Sequence, residues 1–158
     1  MNKTFKQGVG LLELMLAIAI ISLLMISAIR YFSIVNRSNR VNQALTEVNA
    51  IRAAGERWKA THDDNYKTLT AGTELKDLVN RGLLPDIYGL DSVKNPWGGT
   101  ITATMNPADN SQLNIKFSNV TNPDCTNFVK IIKKNGCTPT PADTCNSSST
   151  SIDVTASC

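Results

Sequence analysis

Cysteine is absent from the first 124 residues of this 158-residue chain, and proline from the first 84. Histidine occurs once, at His62. Charge of one sign is also lacking in excess: the net charge is +3, and Lys3 and Lys6 alone supply two of those charges. The near-neutral remainder leaves no electrostatic case for nucleic acid as the main partner. No Gly-rich phosphate loop, HExxH, GxSxG or Walker pattern is present. A Ser-His-Asp arrangement could use only His62, on a polar loop, so the chain is not expected to be an enzyme or to carry a cofactor. A metal site at His62, Asp63 and Asp64 is disfavoured because adjacent residues rarely converge on one ion.

The four cysteines, Cys125, Cys137, Cys145 and Cys158, all fall in the last 34 residues. Their spacing contains no C-x-x-C pair, which argues against zinc and redox catalysis. An even number of clustered cysteines in a chain with an apolar N-terminal segment predicts disulfides in an oxidising compartment.

That apolar segment runs from Val9 to Ile29 and has one charged member, Glu13. A cleaved secretory signal would be shorter and would close on a small-residue site, neither of which holds. A plain membrane anchor fits the length, since about 20 apolar residues span a bilayer core. It leaves Glu13 unexplained, because an acid in hydrocarbon is costly unless it is interfacial or paired. Positive charges on the two flanks (Lys3, Lys6 and the initial amine against Arg30, Arg37 and Arg40) balance, so charge bias does not orient the segment. The cysteine cluster supports placing the C-terminal part outside the cytoplasm.

The order Lys3, Lys6, Gly8, Val9-Gly10-Leu11-Leu12-Glu13 and then an apolar run resembles the class III leader of type IV prepilins. The resemblance implies cleavage by the prepilin peptidase between Gly8 and Val9, and methylation of the Val9 amine. It further implies an assembly role for Glu13, paired with the Val9 amine of a neighbouring subunit. Buried charges persist when paired, so such a partner would make Glu13 tolerable. The rival is Glu13 lying at headgroup level in an ordinary anchor.

Beyond Ile29 the helical pattern continues. Val41, Ala44, Val48, Ile51, Gly55 and Trp58 recur at spacings of three and four, with Leu45 beside them and polar residues between. This predicts one helix from about Val9 to Ala60, about 78 Å long. Gly55 and the β-branched Ile34-Val35 weaken it locally. Type IV pilins commonly carry a proline within the apolar segment, and this chain departs from that pattern.

Thr61–Thr73 reads as a loop with His62-Asp63-Asp64-Asn65 at its tip. A short helix is expected near Thr73–Arg81, with Gly82 able to end it, followed by Leu83-Leu84-Pro85. Asn95-Pro96-Trp97-Gly98-Gly99 is a turn signal. Strands are expected at Thr100–Met105 and Leu113–Ser118, joined as a hairpin through Asn106–Ser111. A helix then opens at Pro123-Asp124 and stops at Asn135-Gly136, and a last strand covers Ser151–Ala156. The class is α+β, a long helix packed along a small antiparallel sheet.

That order matches the pilin fold, in which the apolar half of the helix protrudes. A finer resemblance lies in Lys94-Asn95-Pro96-Trp97-Gly98-Gly99-Thr100, Ile115-Lys116-Phe117-Ser118-Asn119-Val120-Thr121 and Asp124-Cys125-Thr126. This resembles the type IVb subgroup, which the non-Phe residue Val9 also favours, whereas the short leader favours type IVa. The subgroup's pattern implies a Cys125–Cys145 bridge and leaves Cys137–Cys158 as the second pair. The nested pairing, Cys125–Cys158 with Cys137–Cys145, remains the alternative.

The expected organisation is a cleaved leader at 1–8, a transmembrane and filament-core helix half at 9–35, and a globular domain at 36–158. The resemblance implies a structural subunit of a type IV pilus in a Gram-negative bacterium. It would reside in the inner membrane and then polymerise into an extracellular helical homo-oligomer for adhesion, motility, DNA uptake or conjugation. Its partners would be the prepilin peptidase, the assembly ATPase and the platform proteins; the sequence assigns no receptor. Alternatives are a minor pilin or type II secretion pseudopilin and, in another class, an uncleaved membrane-anchored periplasmic binding module.

Overall fold

A computed structural model describes residues 10–90, 92–141, 145 and 151–158. Helix α1 (Leu11–Lys59) comprises 49 residues, as the absence of proline allows. The chain divides into two compact units, one ending at Ser38 and one beginning at Asn39.

In the second unit α1 buries Val41, Ala44, Val48, Ile51, Ala54, Gly55 and Trp58. The three-and-four spacing keeps these residues on one face. Gly55, a weak helix former, lies where Tyr66 crosses α1: a Cβ there would meet the Tyr66 hydroxyl oxygen at 2.7 Å. The loop after α1 is anchored rather than free. The His62 ring stacks on Trp58 with centroids 4.2 Å apart, and His62 Nδ1 lies 3.0 Å from the Trp58 carbonyl oxygen. Helix α2 (Glu74–Asn80) is one residue shorter at each end than the expected helix.

Five strands follow: β1 (Val93–Lys94), β2 (Thr100–Met105), β3 (Leu113–Thr121), β4 (Thr138–Thr140) and β5 (Ser151–Ser157). They form one sheet in the order β1-β2-β3-β5-β4, antiparallel at every pairing. Opposed pairs such as Ala103 with Ile115 and Phe117 with Val154 set the register, and all four side chains are buried. Strand β3 outlasts the expected Ser118 because a bulge lies between Phe117 and Val120. Asn119 there has φ 60°, a left-handed conformation that asparagine tolerates. The extra residue breaks the alternation of Leu113, Ile115 and Phe117 and returns Val120 to the buried face.

Helix α3 (Asn122–Lys134) has Pro123 in its first turn and buries Cys125, Phe128, Val129 and Ile132. Phe128 meets Phe117 edge-on at 5.2 Å and Trp97 at 5.3 Å between ring centroids. Arg52 of α1 donates to the Asn135 carbonyl oxygen at 2.8 Å, so α1 holds one of the free carbonyls at the C-terminal end of α3.

Candidate functional site

In the first unit, residues 10–34 are exposed throughout. Leu12 is 81% exposed, and Met15, Leu23 and Ile29 each exceed 60%. Monomeric soluble proteins rarely leave so large a contiguous apolar surface open. Polar groups within it satisfy themselves: Ser22 Oγ donates to the Ile18 carbonyl at 2.8 Å and Ser27 Oγ to the Leu23 carbonyl at 2.9 Å. With backbone groups paired along the helix and hydroxyls folded onto carbonyls, hydrocarbon surroundings cost little. This helix is long and apolar enough to cross a membrane, and it is compatible with membrane anchoring.

Glu13 lies in the first turn of α1 and is exposed, where the partial positive charge of the helix N-terminus favours an acid. Its backbone N–H donates to the Gly10 carbonyl at 2.9 Å. Gly8 and Val9, expected at the cleavage point, lie outside the described residues.

The second unit has a stapled C-terminal region. Cys125 is bonded to Cys145, and Cys137 to Cys158, so the nested pairing is not the one formed. The two bridges tie α3 to the chain before β5 and the turn after α3 to the end of β5. Leu113 and Cys158 also exchange backbone hydrogen bonds of 2.9 and 3.0 Å.

The Asn95–Gly99 turn meets this region at the start of α3. Asn95 Oδ1 accepts from the backbone N–H of Trp97 at 2.9 Å and of Gly99 at 3.0 Å, and its Nδ2 donates to the Ser118 carbonyl at 2.6 Å. A Cβ on Gly99 would collide with that same carbonyl. Trp97 Nε1 donates to Asp124 Oδ2 at 2.8 Å, and Thr121 Oγ1 donates to the same oxygen at 2.9 Å. Asp124 is 2% exposed, and these bonds offset the desolvation of its carboxyl. This is a positioning network that fixes α3 against the sheet. The sequence marked the turn and Cys125 but gave no sign that Trp97 and Asp124 meet.

Glu47 was also missed as a distinctive residue. It stands on α1 beside the buried stripe, half-buried, with Oε2 enclosed and without a hydrogen-bond partner among the described residues. Burial pushes its carboxyl up to about 7. Tyr88, in the 3-10 turn Asp86–Gly89, is raised by its own burial and by the nearness of Glu47. The clue in the sequence was spacing alone: Glu47 follows Ala44 by three and precedes Ile51 by four, at the edge of the apolar face. Elsewhere Lys116 binds Asp153 at 2.8 Å across the solvent face of β3 and β5, and that hydrogen bond lowers the Asp153 carboxyl.

Among the described residues no group of three His, Cys, Asp or Glu side chains is placed to hold a metal ion. Asp63 and Asp64 both adopt positive φ, 53° and 57°, in the turn that brings the His62 ring onto Trp58.

No family model matches the chain, and no curated protein matches it.

Proposed function

We propose that this chain is a structural subunit of a type IV pilus, of the type IVb kind, with no catalytic role. The observation that carries the reading is an exposed apolar helix half bearing a single acid in its first turn. Such a surface needs lipid or other helices to cover it. Resemblance of the leader to that of type IV prepilins supplies the assembly scheme. The peptidase would cut between Gly8 and Val9 and methylate Val9, and the inner membrane would hold the helix until assembly machinery extracts it. Copies would then bury their apolar halves against one another, and Glu13 would pair with the Val9 amine of a neighbour to set axial register. Stapling of the C-terminal region by two disulfides suits a domain on the outside of a filament, where no reducing cytoplasm opens them.

Intact-mass measurement of the chain from its native membrane tests the processing. A mass beginning at N-methylated Val9 supports the reading. Retention of Met1–Gly8 overturns it and leaves a membrane-anchored binding module. Sheared surface filaments separate a major pilin, abundant in them, from a minor pilin or secretion pseudopilin present in few copies.

A further inference from the structure

The uninterrupted apolar run of the first unit ends at Ile29, although exposed Ile34 lies beyond it. Leu11–Ile29 covers about 28 Å of helix, close to the hydrocarbon thickness of a bilayer. Arg30, Tyr31 and Phe32 follow at once, and Arg37 comes next. All four are exposed, Tyr31 by 71% and Phe32 by 66%. Arg30 and Arg37 are seven positions apart, nearly two full turns, so they share a face. Among the described residues neither has an ion-pair partner. The sequence offers none nearby, since no acidic residue lies between Glu13 and Glu47.

We infer that Arg30, Tyr31, Phe32 and Arg37 form a collar that binds anionic phospholipid headgroups and fixes the depth of the helix in the bilayer. The inference rests on the membrane-spanning part of the proposed function. With the apolar surface matched to the hydrocarbon, Arg30 falls at the headgroup level. Tyr31 and Phe32 fall in the interfacial zone where aromatic rings anchor helices. Arg37 lies about 10 Å further along the axis, within about one Debye length of the surface at moderate salt, so it still feels an anionic leaflet. Both guanidiniums can reach back along the helix to phosphate while their stems stay on apolar surface. In a zwitterionic headgroup layer each phosphate is already balanced by its own ammonium, so the two cations meet no net counter-charge. An anionic lipid supplies it bidentately.

The full chain reconstituted in phosphatidylcholine bilayers, with spin-labelled phosphatidylglycerol or phosphatidylcholine as reporter, tests this. The fraction of labelled lipid held at the protein surface is compared between the native chain and R30Q/R37Q. Each arginine is expected to favour the anionic lipid roughly five-fold at low salt. R30Q/R37Q should lose that preference, R30K/R37K should keep most of it, and 0.5 M salt should weaken it in the native chain. Unchanged lipid selection in R30Q/R37Q overturns the collar alone. So does a double variant whose only defect is weaker self-association in phosphatidylcholine, because the arginines then serve a second copy. A chain released from vesicles by alkaline carbonate overturns the membrane-spanning reading and the collar with it.

Discussion

At Gly99 the backbone passes so close to Ser118 that a methyl group would strike the Ser118 carbonyl and hydroxyl. Asn95 donates to the same carbonyl, so the turn and β3 cannot move apart without losing a part-buried hydrogen bond. Gly99→Ala should therefore cost on the order of 3 kcal/mol, read as a fall in the denaturant midpoint with an unchanged slope. Gly98→Ala tests conformation instead of space, because Gly98 has φ +79° and, among the described residues, nothing within 4 Å of its missing Cβ. Glu47 provides the pH counterpart. Its folded-state carboxyl sits near 7, above the ordinary 4.5, so between those values the folded protein binds more protons than the unfolded chain. Stability is then highest below about pH 4.5 as far as this group is concerned. It falls as pH rises through about 7 and is level above. Because Glu47 is only half-buried, solvent screening reduces the effect to on the order of 1–2 kcal/mol. Thermal melts at pH 5 and pH 8 should show the native chain losing more stability than Glu47→Gln. Equal losses in the two chains would show that the carboxyl is not desolvated.

Elements with a repeating pattern were legible in the sequence, and those without one were not. The spacing of Val41, Ala44, Val48, Ile51 and Trp58 outlined the packed half of α1, and Thr100–Met105 was found to the residue. Strand β1 is two residues long and β4 three, too short for period-two alternation to show. Pro139 also disguised β4, although proline is tolerated on an edge strand such as this one. In β3 the bulge at Asn119 hid the last three residues by shifting the phase of burial. At the candidate site the acid and the apolar run were visible from composition. The unpartnered state of Glu47 and the Trp97–Asp124 bond depend on contacts between distant segments, which no local pattern encodes. Local pattern does not fix the disulfide pairing either, since four cysteines allow three connectivities; the bridges formed are those the resemblance implied. Cys137–Cys158 closes a loop with a sequence separation of 21, which in the chain-entropy picture is worth about 3 kcal/mol. The double variant Cys137→Ser with Cys158→Ser should lose about that much in denaturant titration. The end of β5 should also show faster amide exchange while α1 keeps its protection.

For the molecule as a whole, the two units place opposite demands on their surroundings. Residues from Asn39 onward bury a continuous core spanning α1, the sheet and α3, and this unit needs no partner to do so. The first unit buries nothing of its own between Gly10 and Ile34, so its stability is borrowed from whatever covers it. Lipid and a bundle of like helices satisfy the apolar side chains about equally well, so burial alone cannot drive transfer from one to the other. Under the proposed function some interaction specific to the bundle would have to favour it, and Glu13 is the group whose surroundings would change most. In lipid it would be an acid at the edge of hydrocarbon, whereas beside the Val9 amine of a processed neighbour it would gain a paired charge. Breaking a buried charge pair by removing one member costs about 3–5 kcal/mol, enough for a hundred-fold or greater loss of assembly. Glu13→Ala and Glu13→Gln should both remain in the membrane fraction at native levels. Sheared filaments from cells expressing either variant should fall to background, because neither side chain can neutralise the amine. Filaments of normal yield from Glu13→Gln would show that a hydrogen bond suffices, and filaments of normal yield from Glu13→Ala would remove Glu13 from assembly altogether.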